Sequence, residues 1–416
     1  MRVCIISPSQ LGMNPRAVKE AQALSQAGHD VTVIATRLAQ HVEAGDQDIL
    51  RDAGWRTIRL DFSIPSKRRL PRVRQMIGRL LFALTGSLWA AKLGNHFSTP
   101  ELTAEALKVP ADLYIAHYVA ALPAAAKAAA VHGAPYAFDA EDFHIGELPE
   151  EPRFDIDRRM IGVIEGRYLP KCAYVSADAD GTANAYARVY GIPTPITVLN
   201  VFPLSHAPAR APAASTATPG PSVYWFSQTI GTDRGLECLV RAVGRTKSRP
   251  HLYIRGTPSR GYEEVLKLIA REAGVEEHIH FLPPDVAAEM ERLASEYDIG
   301  FVGEPGQSES RRVALTNKIF TYLLAGIAVI ASDIPAHLAL VPVMGDSMHL
   351  FKAEDPQSLA DVLDSLLLNP AALKAARKTA WRLGQEQFNW DVERRVLLTA
   401  VERAALPTAS GSAAQQ

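Results

Sequence analysis

Residues 2–35 of the chain read RVCIISPSQLGMNPRAVKEAQALSQAGHDVTVIA, a pattern of strand, helix and second strand. The opening run is almost wholly apolar, which is typical of a parallel strand buried on both faces. Asn14 can cap the helix, Pro15 fits its first position, and Gly28 can end it in the left-handed conformation. Such a βαβ unit implies a right-handed crossover and a parallel sheet.

The same alternation continues along the chain. Further strands are predicted at 55–61, 112–117, 135–140, 172–176 and 196–200, and a second series of strands and helices begins near residue 223. We therefore predict an α/β fold with two doubly wound, Rossmann-like parallel-sheet domains that face each other across a cleft.

The domain boundaries follow from composition. Residues 203–222 are rich in Pro, Ala and Ser and are predicted to be a linker between domains at 1–202 and 223–388. A final helix at 389–404 could pack back on the first domain, and residues 405–416 are predicted to be a disordered tail.

Composition excludes several classes of protein. The chain has 416 residues, 47% of them hydrophobic and 21% charged, as in a globular protein of more than one domain. Its net charge of −1 gives no electrostatic reason for nucleic-acid binding. The three cysteines form no zinc pattern and suit a reducing compartment. Because neither a signal peptide nor a spanning apolar stretch is evident, we predict a cytoplasmic protein.

Five segments, spread over nearly the whole chain, resemble one protein family. They are NPRAVKEAQALSQAGHDVTVI, PITVLNVFP, RGLECLVRAV, LTNKIFTYLLAGIAVIASD and FNWDVERRVLL. In order and spacing they resemble the large retaining family of GT-B glycosyltransferases, similar to family 4, that builds bacterial polysaccharides and glycolipids. The resemblance implies transfer of a sugar from a nucleotide-sugar donor to a glycan or lipid-linked acceptor, with retention at the anomeric carbon and with no cofactor or metal ion.

The resemblance assigns the donor phosphates to basic residues at two helix starts. Lys318 lies in the first turn of a predicted helix, after Thr316 and Asn317, and Arg234 precedes another helix. Fixed cations and a helix N-terminus stabilise the charge that grows on a departing diphosphate. Each side chain could instead be a solvated surface charge, but a basic residue there opposes the helix dipole unless an anion is bound. Gln228 takes the place where many relatives carry another arginine.

The sequence departs from the family at two positions. The family usually has a glutamate that accepts the ribose hydroxyls and another, eight residues earlier, that contacts the sugar; here these positions hold Thr321 and Val313. Glu304 and Glu309, in the preceding loop, could replace them, although solvated loop charges are the simpler interpretation. Arg311 could reach phosphates or an acidic sugar.

Further candidates come from the first domain. His117 ends a strand, where the family places a histidine on the donor sugar or its phosphate; a packed, hydrogen-bonded histidine is the alternative. Gly12 could let the backbone approach the donor, or could be a plain turn glycine. Asp139, Glu141 and His144 belong to an acidic loop that we assign to the acceptor side. Their spacing matches no strong metal pattern.

Residues 66–94 mix many basic residues with Leu, Phe and Trp. They could form amphipathic helices that lie on an anionic membrane, at the inner face of the cell membrane, or ordinary packed helices with a basic exposed side. Two other functions stay open. A GT-B scaffold that binds a partner without catalysis is favoured by Thr321 and Val313, and nucleotide-sugar epimerases share the architecture, so fold alone does not separate these classes.

Overall fold

The structure is a computed structural model that describes residues 1–148, 151–211 and 220–405. It divides into two compact units. The first contains Met1–Val198 and the described chain from Arg394 onward, and the second contains Leu199–Glu393. The second unit thus begins within the segment predicted for the first domain. Residues 212–219 of the predicted linker, and the predicted tail beyond residue 405, lie outside the described residues.

The first unit contains a seven-stranded parallel sheet. Its strands are β1 (Arg2–Ile6), β2 (Asp30–Arg37), β3 (Arg56–Asp61), β4 (Leu113–His117), β5 (Tyr136–Ala140), β6 (Val175–Ala177) and β7 (Ile196–Thr197). They are ordered β3-β2-β1-β4-β5-β6-β7, so the order reverses between β1 and β4. Val3 pairs with Val31 on one side and with Leu113 on the other, which buries β1 and explains its apolar run. Ligands of such sheets bind beyond the carboxyl ends of the strands at the reversal.

Nine α-helices belong to the described part of this unit before β7. They are α1 (Pro15–Gln26), α2 (Glu43–Arg51), α3 (Pro65–Thr85), α4 (Leu88–Asn95), α5 (Thr99–Ala106), α6 (Tyr118–His132), α7 (His144–Glu147), α8 (Asp155–Tyr168) and α9 (Asp180–Tyr190). Asn14 caps α1, as predicted, because its side chain accepts a hydrogen bond of 3.0 Å from Ala17 N. Helices α3 and α4 touch through their backbones, since a Cβ atom on Gly78 would lie 2.6 Å from Gly94 N.

The second unit contains a six-stranded parallel sheet. Its strands are β8 (Ser222–Ile230), β9 (His251–Pro258), β10 (Ile279–Leu282), β11 (Ile299–Val302), β12 (Ala328–Ser332) and β13 (Met348–Phe351). Their order is β10-β9-β8-β11-β12-β13, with the reversal between β8 and β11. Both sheets are therefore doubly wound and parallel, as the sequence predicts.

The helices of the second unit cover both faces of its sheet. They are α10 (Leu236–Arg245), α11 (Tyr262–Glu272), α12 (Met290–Ala294), α13 (Glu309–Val313), α14 (Asn317–Ala325), α15 (Pro335–Met344), α16 (Pro356–Leu367) and α17 (Pro370–Glu386), and α18 (Trp390–Ala405) continues into the first unit. Residues Lys318–Ala325 of α14 are all buried. Among the described residues, no helix has both the length and the apolar character needed to cross a bilayer.

Candidate functional site

Each unit places a polar cluster beyond the carboxyl ends of its central strands. In the first unit, the cluster is built on a buried ion pair between α1 and β5. Arg16 donates from Nε to Asp139 Oδ2 at 2.5 Å and from the second terminal nitrogen to Asp139 Oδ1 at 2.8 Å. Its remaining nitrogen donates to Val198 O at 2.6 Å, and Ser176 donates to Asp139 Oδ1 at 2.5 Å. Burial alone would raise the pKa of Asp139, but the charge and hydrogen bonds of Arg16, together with His117 and Ser176, outweigh burial and lower that pKa to about 2.

His117 lies at the centre of this cluster with both ring nitrogens engaged. Its Nε2 is 2.6 Å from Glu20 Oε2, and its Nδ1 is 2.8 Å from Glu141 Oε1 and 3.4 Å from Asp139 Oδ2. Burial disfavours the charged imidazolium, but the hydrogen bonds with Glu141 and Glu20 outweigh burial and raise the pKa of His117 to about 10. The predicted contact with the donor sugar therefore has no ring nitrogen available in this structure, and the alternative of a packed, hydrogen-bonded histidine describes it better.

The raised pKa of His117 predicts a pH-dependent stability. Because the folded pKa of about 10 exceeds the unfolded value of about 6.5, its stabilisation is complete below pH ~6.5 and is lost as pH rises through the folded pKa. Between pH 7 and 10, the free energy of unfolding should fall less in His117→Gln than in the unmodified protein, by at least ~1 kcal/mol. Thermal unfolding at several pH values measures this difference. The exposed His41→Gln variant should follow the unmodified profile; identical profiles for all three proteins would contradict the prediction.

The other predicted site residues of the first unit, Gly12, His144 and Glu141, all contact other side chains of the same unit. Gly12 donates its N–H to Asp46 Oδ1 at 2.8 Å, and a Cβ there would lie 2.9 Å from a methyl of Val42, so close packing on α2 explains the glycine. His144 begins α7 and is buried, with Nδ1 2.7 Å from the hydroxyl of Tyr186. Glu141 keeps part of its side chain exposed and accepts a hydrogen bond from Asn14 Nδ2 at 2.7 Å.

One group in this cluster has the spacing of metal ligands. Ligand atoms of His117, Asp139 and Glu141 all lie within 4.8 Å of one another. A cation there would compete with Arg16, whose guanidinium already bonds both oxygens of Asp139. These three side chains therefore fit the buried ion pair with Arg16 better than they fit a divalent cation.

In the second unit, two loops approach each other at the sheet reversal. Gly235 precedes α10 with a φ of +71°, and a Cβ there would lie 2.2 Å from Gly303 O. Only glycine fits such a conformation and contact. The approach brings the loop that carries Arg234 against the segment that follows β11. The sequence therefore needs this glycine to assemble the cluster.

That cluster gathers three cations around one carboxylate. Glu304 is 5% exposed. Its Oε1 is 3.4 Å from Lys318 Nζ, and its Oε2 is 3.6 Å from a terminal nitrogen of Arg234 and 3.7 Å from one of Arg311. Burial would raise the pKa of Glu304, but the three cations outweigh it and lower that pKa. The four charges leave two positive charges in excess at the N-terminus of α14.

The remaining donor candidates surround this cluster at different depths. Thr316 precedes α14 and accepts a hydrogen bond of 3.3 Å from Lys318 Nζ. Asn317 and Gln228 are exposed, and Gln228 lies at an irregularity of β8 between Phe226 and Thr229. Glu309, the first residue of α13, is exposed; Glu304 is directed to the cations.

Thr321 is fully buried one turn further along α14. Its hydroxyl donates to Glu291 Oε1, in the short helix α12, at 2.9 Å. Glu291 is also buried, and its Oε2 lies 3.6 Å from His206 Nδ1. Thr321 stands at the position of the family's ribose-binding glutamate. Its hydroxyl already donates a hydrogen bond to Glu291 of the neighbouring helix α12.

Sequence reasoning missed Glu291, Arg16 and Glu20. A weak signal existed for the last two, which are four residues apart on the same buried face of α1 as Ala17 and Leu24. Charges on an apolar helix face need buried partners. No comparable signal marked Glu291, because its partner Thr321 is thirty positions away.

Two family models match the chain in sequence. The one described as Glycosyl transferase 4-like domain matches residues 12–201, and the one described as Glycosyl transferases group 1 matches residues 220–369. These ranges correspond closely to the two units. No curated protein is similar enough in sequence to count as a match.

Solved structures share the architecture along the whole chain. HepE of Anabaena in complex with UDP is 14% identical with a TM-score of 0.69, over 97% of this chain and 100% of that one. A glycosyltransferase from Rickettsia africae ESF-5 is 13% identical with a TM-score of 0.69, over 98% of this chain and 99% of that one. Sucrose-phosphate synthase from Thermosynechococcus elongatus is 15% identical with a TM-score of 0.69, over 97% of this chain and 98% of that one. Such low identities establish the fold alone.

The two parallel-sheet units and the matches to solved structures define the class as a GT-B fold. With both family models covering most of its length, the chain belongs to the GT-B glycosyltransferases.

Proposed function

We propose that the protein transfers a sugar from a nucleotide-sugar donor to a glycan or lipid-linked acceptor, with retention at the anomeric carbon and without a metal ion. The observation that carries this proposal is the excess of positive charge around Glu304. Lys318, Arg234 and Arg311 surround one carboxylate beside the N-terminus of α14. A diphosphate supplies the missing negative charge and can accept hydrogen bonds from the first turn of the helix.

The chemistry assigned to this cluster is stabilisation of the leaving group. Charge grows on the diphosphate as the bond to the sugar breaks, and fixed cations stabilise it without reorganisation. In a retaining reaction of this kind, the departing phosphate accepts the proton of the acceptor hydroxyl on the same face. Such a reaction needs no general base from the protein. This agrees with the first unit, where Asp139 and His117 are already bonded to the buried partners Arg16 and Glu20.

Binding of uridine nucleotides provides the first test. HepE was solved with UDP and with UDP-glucose, so UDP is the probe, with GDP and ADP as comparisons. Calorimetry should show binding of at least one of these diphosphates, and a matching nucleotide sugar should be cleaved slowly with water as the acceptor. Failure of every nucleoside diphosphate to bind would overturn the proposal. The anomeric configuration of the first product, read by NMR, decides between retention and inversion.

Removing one cation should weaken this binding without unfolding the protein. Lys318→Ala and Arg234→Ala should each cost roughly 1.5–3 kcal/mol of binding free energy, because each removes a charge-assisted hydrogen bond to phosphate. That is a loss of affinity of about 10- to 150-fold. The control is Arg382→Ala, which removes an exposed arginine of α17 that pairs with Glu386. Equal affinities in all four proteins would remove the diphosphate from this cluster.

One observation favours a second candidate, a GT-B scaffold that binds a partner without catalysis. Thr321 replaces the family carboxylate, and its hydroxyl already bonds Glu291. The scaffold reading predicts that no nucleotide sugar is cleaved under any condition, even where UDP binds. Cleavage that is lost in Lys318→Ala would exclude it.

We further propose that the acceptor is reached at a membrane, through an apolar stripe on α3. Six large side chains of this helix are 48–75% exposed: Leu70, Val73, Met76, Ile77, Leu80 and Leu84. Spacings of three and four residues place them on one face of a helix that is about 30 Å long. Exposed apolar stripes of this kind mark interaction surfaces.

The charge of α3 favours an anionic bilayer over a second copy of the chain. The helix has no acidic residue and six basic ones. Among the described residues none forms an ion pair with Arg69 or Arg72, which are exposed near the stripe. Two copies of α3 would repel each other, whereas anionic headgroups attract these arginines.

Vesicle binding should depend on both charge and the stripe. The protein should sediment with phosphatidylglycerol–phosphatidylcholine vesicles at low salt, and less so as salt screens the exposed charges. Leu80→Asp should lose most of this binding, whereas Leu368→Asp, at an exposed position of the second unit, should not. No binding at low salt, or a stable dimer that Leu80→Asp dissociates, would contradict the membrane proposal.

A further inference from the structure

Lys318 is a buried cation whose surroundings oppose its charge. It lies in the first turn of α14, and its Nζ is 5.5 Å from the centre of the Trp225 ring. Burial is the largest influence and lowers the pKa of Lys318; Arg234 and Arg311 lower it further. Burial and the two arginines all favour the neutral amine, so the ammonium form of Lys318 depends on a compensating negative charge.

Glu304 is the compensating charge. Among the described residues, the charged groups that face Lys318 are Arg234 from the loop before α10, Arg311 from α13 and Glu304 after β11. His337 of α15 is also near, but its Nδ1 is 2.8 Å from Ser332 O, and burial lowers its pKa, so it stays uncharged. Only Glu304 among these groups favours the ammonium form of Lys318.

The contacts between Glu304 and the three cations are long. Its contacts of 3.4–3.7 Å exceed the roughly 2.7–2.9 Å of a tight charge-assisted bond. Glu304 Oε2 makes no hydrogen bond within the described chain. Its one hydrogen bond with these cations is the long one that Lys318 Nζ donates to Oε1 at 3.4 Å, so Glu304 balances their charge through one long hydrogen bond and two wider contacts.

We propose that Glu304 is a positioning residue that keeps the buried Lys318 in its charged form, so that the site is ready for a diphosphate before the donor arrives. This inference rests on the proposed donor site and adds a residue that acts through Lys318. It differs from the sequence-based alternative in which Glu304 or Glu309 takes the place of the missing family glutamates. The family resemblance assigns no such role to the segment after β11.

The pH dependence of UDP binding tests the proposal. In Glu304→Gln, Lys318 loses the neighbouring charge that favours its ammonium form, so proton uptake should accompany UDP binding. Affinity should then fall with rising pH more steeply than in the unmodified protein, by up to about tenfold per pH unit beyond it. Calorimetry in two buffers of different ionisation enthalpy should show the matching proton uptake. Glu304→Asp, which keeps the charge but withdraws it by one carbon, should give an intermediate slope. The control is Glu272→Gln, an exposed position of α11.

Each outcome is decisive. Tighter UDP binding by Glu304→Gln would show that Glu304 competes with the donor, and a pH slope equal to that of the unmodified protein would show that it does not hold the proton on Lys318; both overturn the inference. If Glu304→Gln fails to fold, the slope of Glu304→Asp decides in the same way. Absence of UDP binding by the unmodified protein would instead overturn the proposed donor site.

Discussion

Replacing Asp139 with alanine should lower the free energy of unfolding of the first unit by about 3–5 kcal/mol. The substitution leaves the guanidinium of Arg16 buried without the carboxylate that it bonds at 2.5 and 2.8 Å. It also removes the acceptor of the Ser176 hydroxyl. A buried charge that loses its partner costs far more than the pair contributes on balance, since desolvation is no longer offset.

A second ion pair supplies the matched control. Arg2 and Asp112 are also 2.5 Å apart, but both are exposed, so Asp112→Ala should cost less than about 1 kcal/mol. Denaturant unfolding measures both variants. Because the pKa of Asp139 is lowered to about 2, its contribution should persist above pH ~4 and fade as pH falls through the folded pKa. Equal costs for the two substitutions would show that water reaches Arg16.

Replacing Thr321 with glutamate should destabilise the second unit by at least ~3 kcal/mol rather than restore the family carboxylate. The new side chain would be fully buried and would face Glu291, whose Oε1 now accepts a hydrogen bond from Thr321 at 2.9 Å. Two carboxylates at that distance repel each other and lose the hydroxyl donor. The expected change in melting temperature is at least ~6 °C for a unit of this size.

Two further variants separate repulsion from the loss of the hydroxyl. Thr321→Val keeps the shape and removes the donor, so it should cost about 1–3 kcal/mol. Adding Glu291→Ala to Thr321→Glu removes the repulsion and should recover a large part of the stability, which a double-mutant cycle measures. A Thr321→Glu variant as stable as the unmodified protein would mean that the space beside Glu291 admits water.

The sheets were predictable because their strands are short, apolar and separated by helical patterns. β1 and β12 are buried along nearly their whole length, so their sequences are continuously apolar. β13 gives a weaker strand signal, because His349 and Leu350 are only half buried at the edge of the sheet. Helix α15 is also hard to predict, because Pro342 lies inside it and an interior proline usually ends or kinks a helix.

Site residues were predictable only where they follow the end of a strand in the sequence, since this alone places them at the carboxyl edge of the sheet. Arg234 and Lys318 follow strand ends in sequence, so their placement at one edge of the sheet follows from the fold, although their roles remain a proposal. Pairs formed across helices could not be found in this way. Arg16 and Asp139 are 123 positions apart, and Glu291 reaches Thr321 only because α12 packs on α14.

The enclosure of α14 restricts how this protein can evolve new donor preferences. Every residue from Lys318 to Ala325 is buried, and α17 closes on the helix so tightly that a Cβ at Gly384 would lie 2.6 Å from Leu323 O. Substitutions in such a helix are selected against for stability before they can alter recognition. Variation that survives selection must therefore accumulate in the loops at 228–235 and 303–312, and libraries randomised there should yield folded proteins with changed nucleotide preference far more often than libraries built on α14.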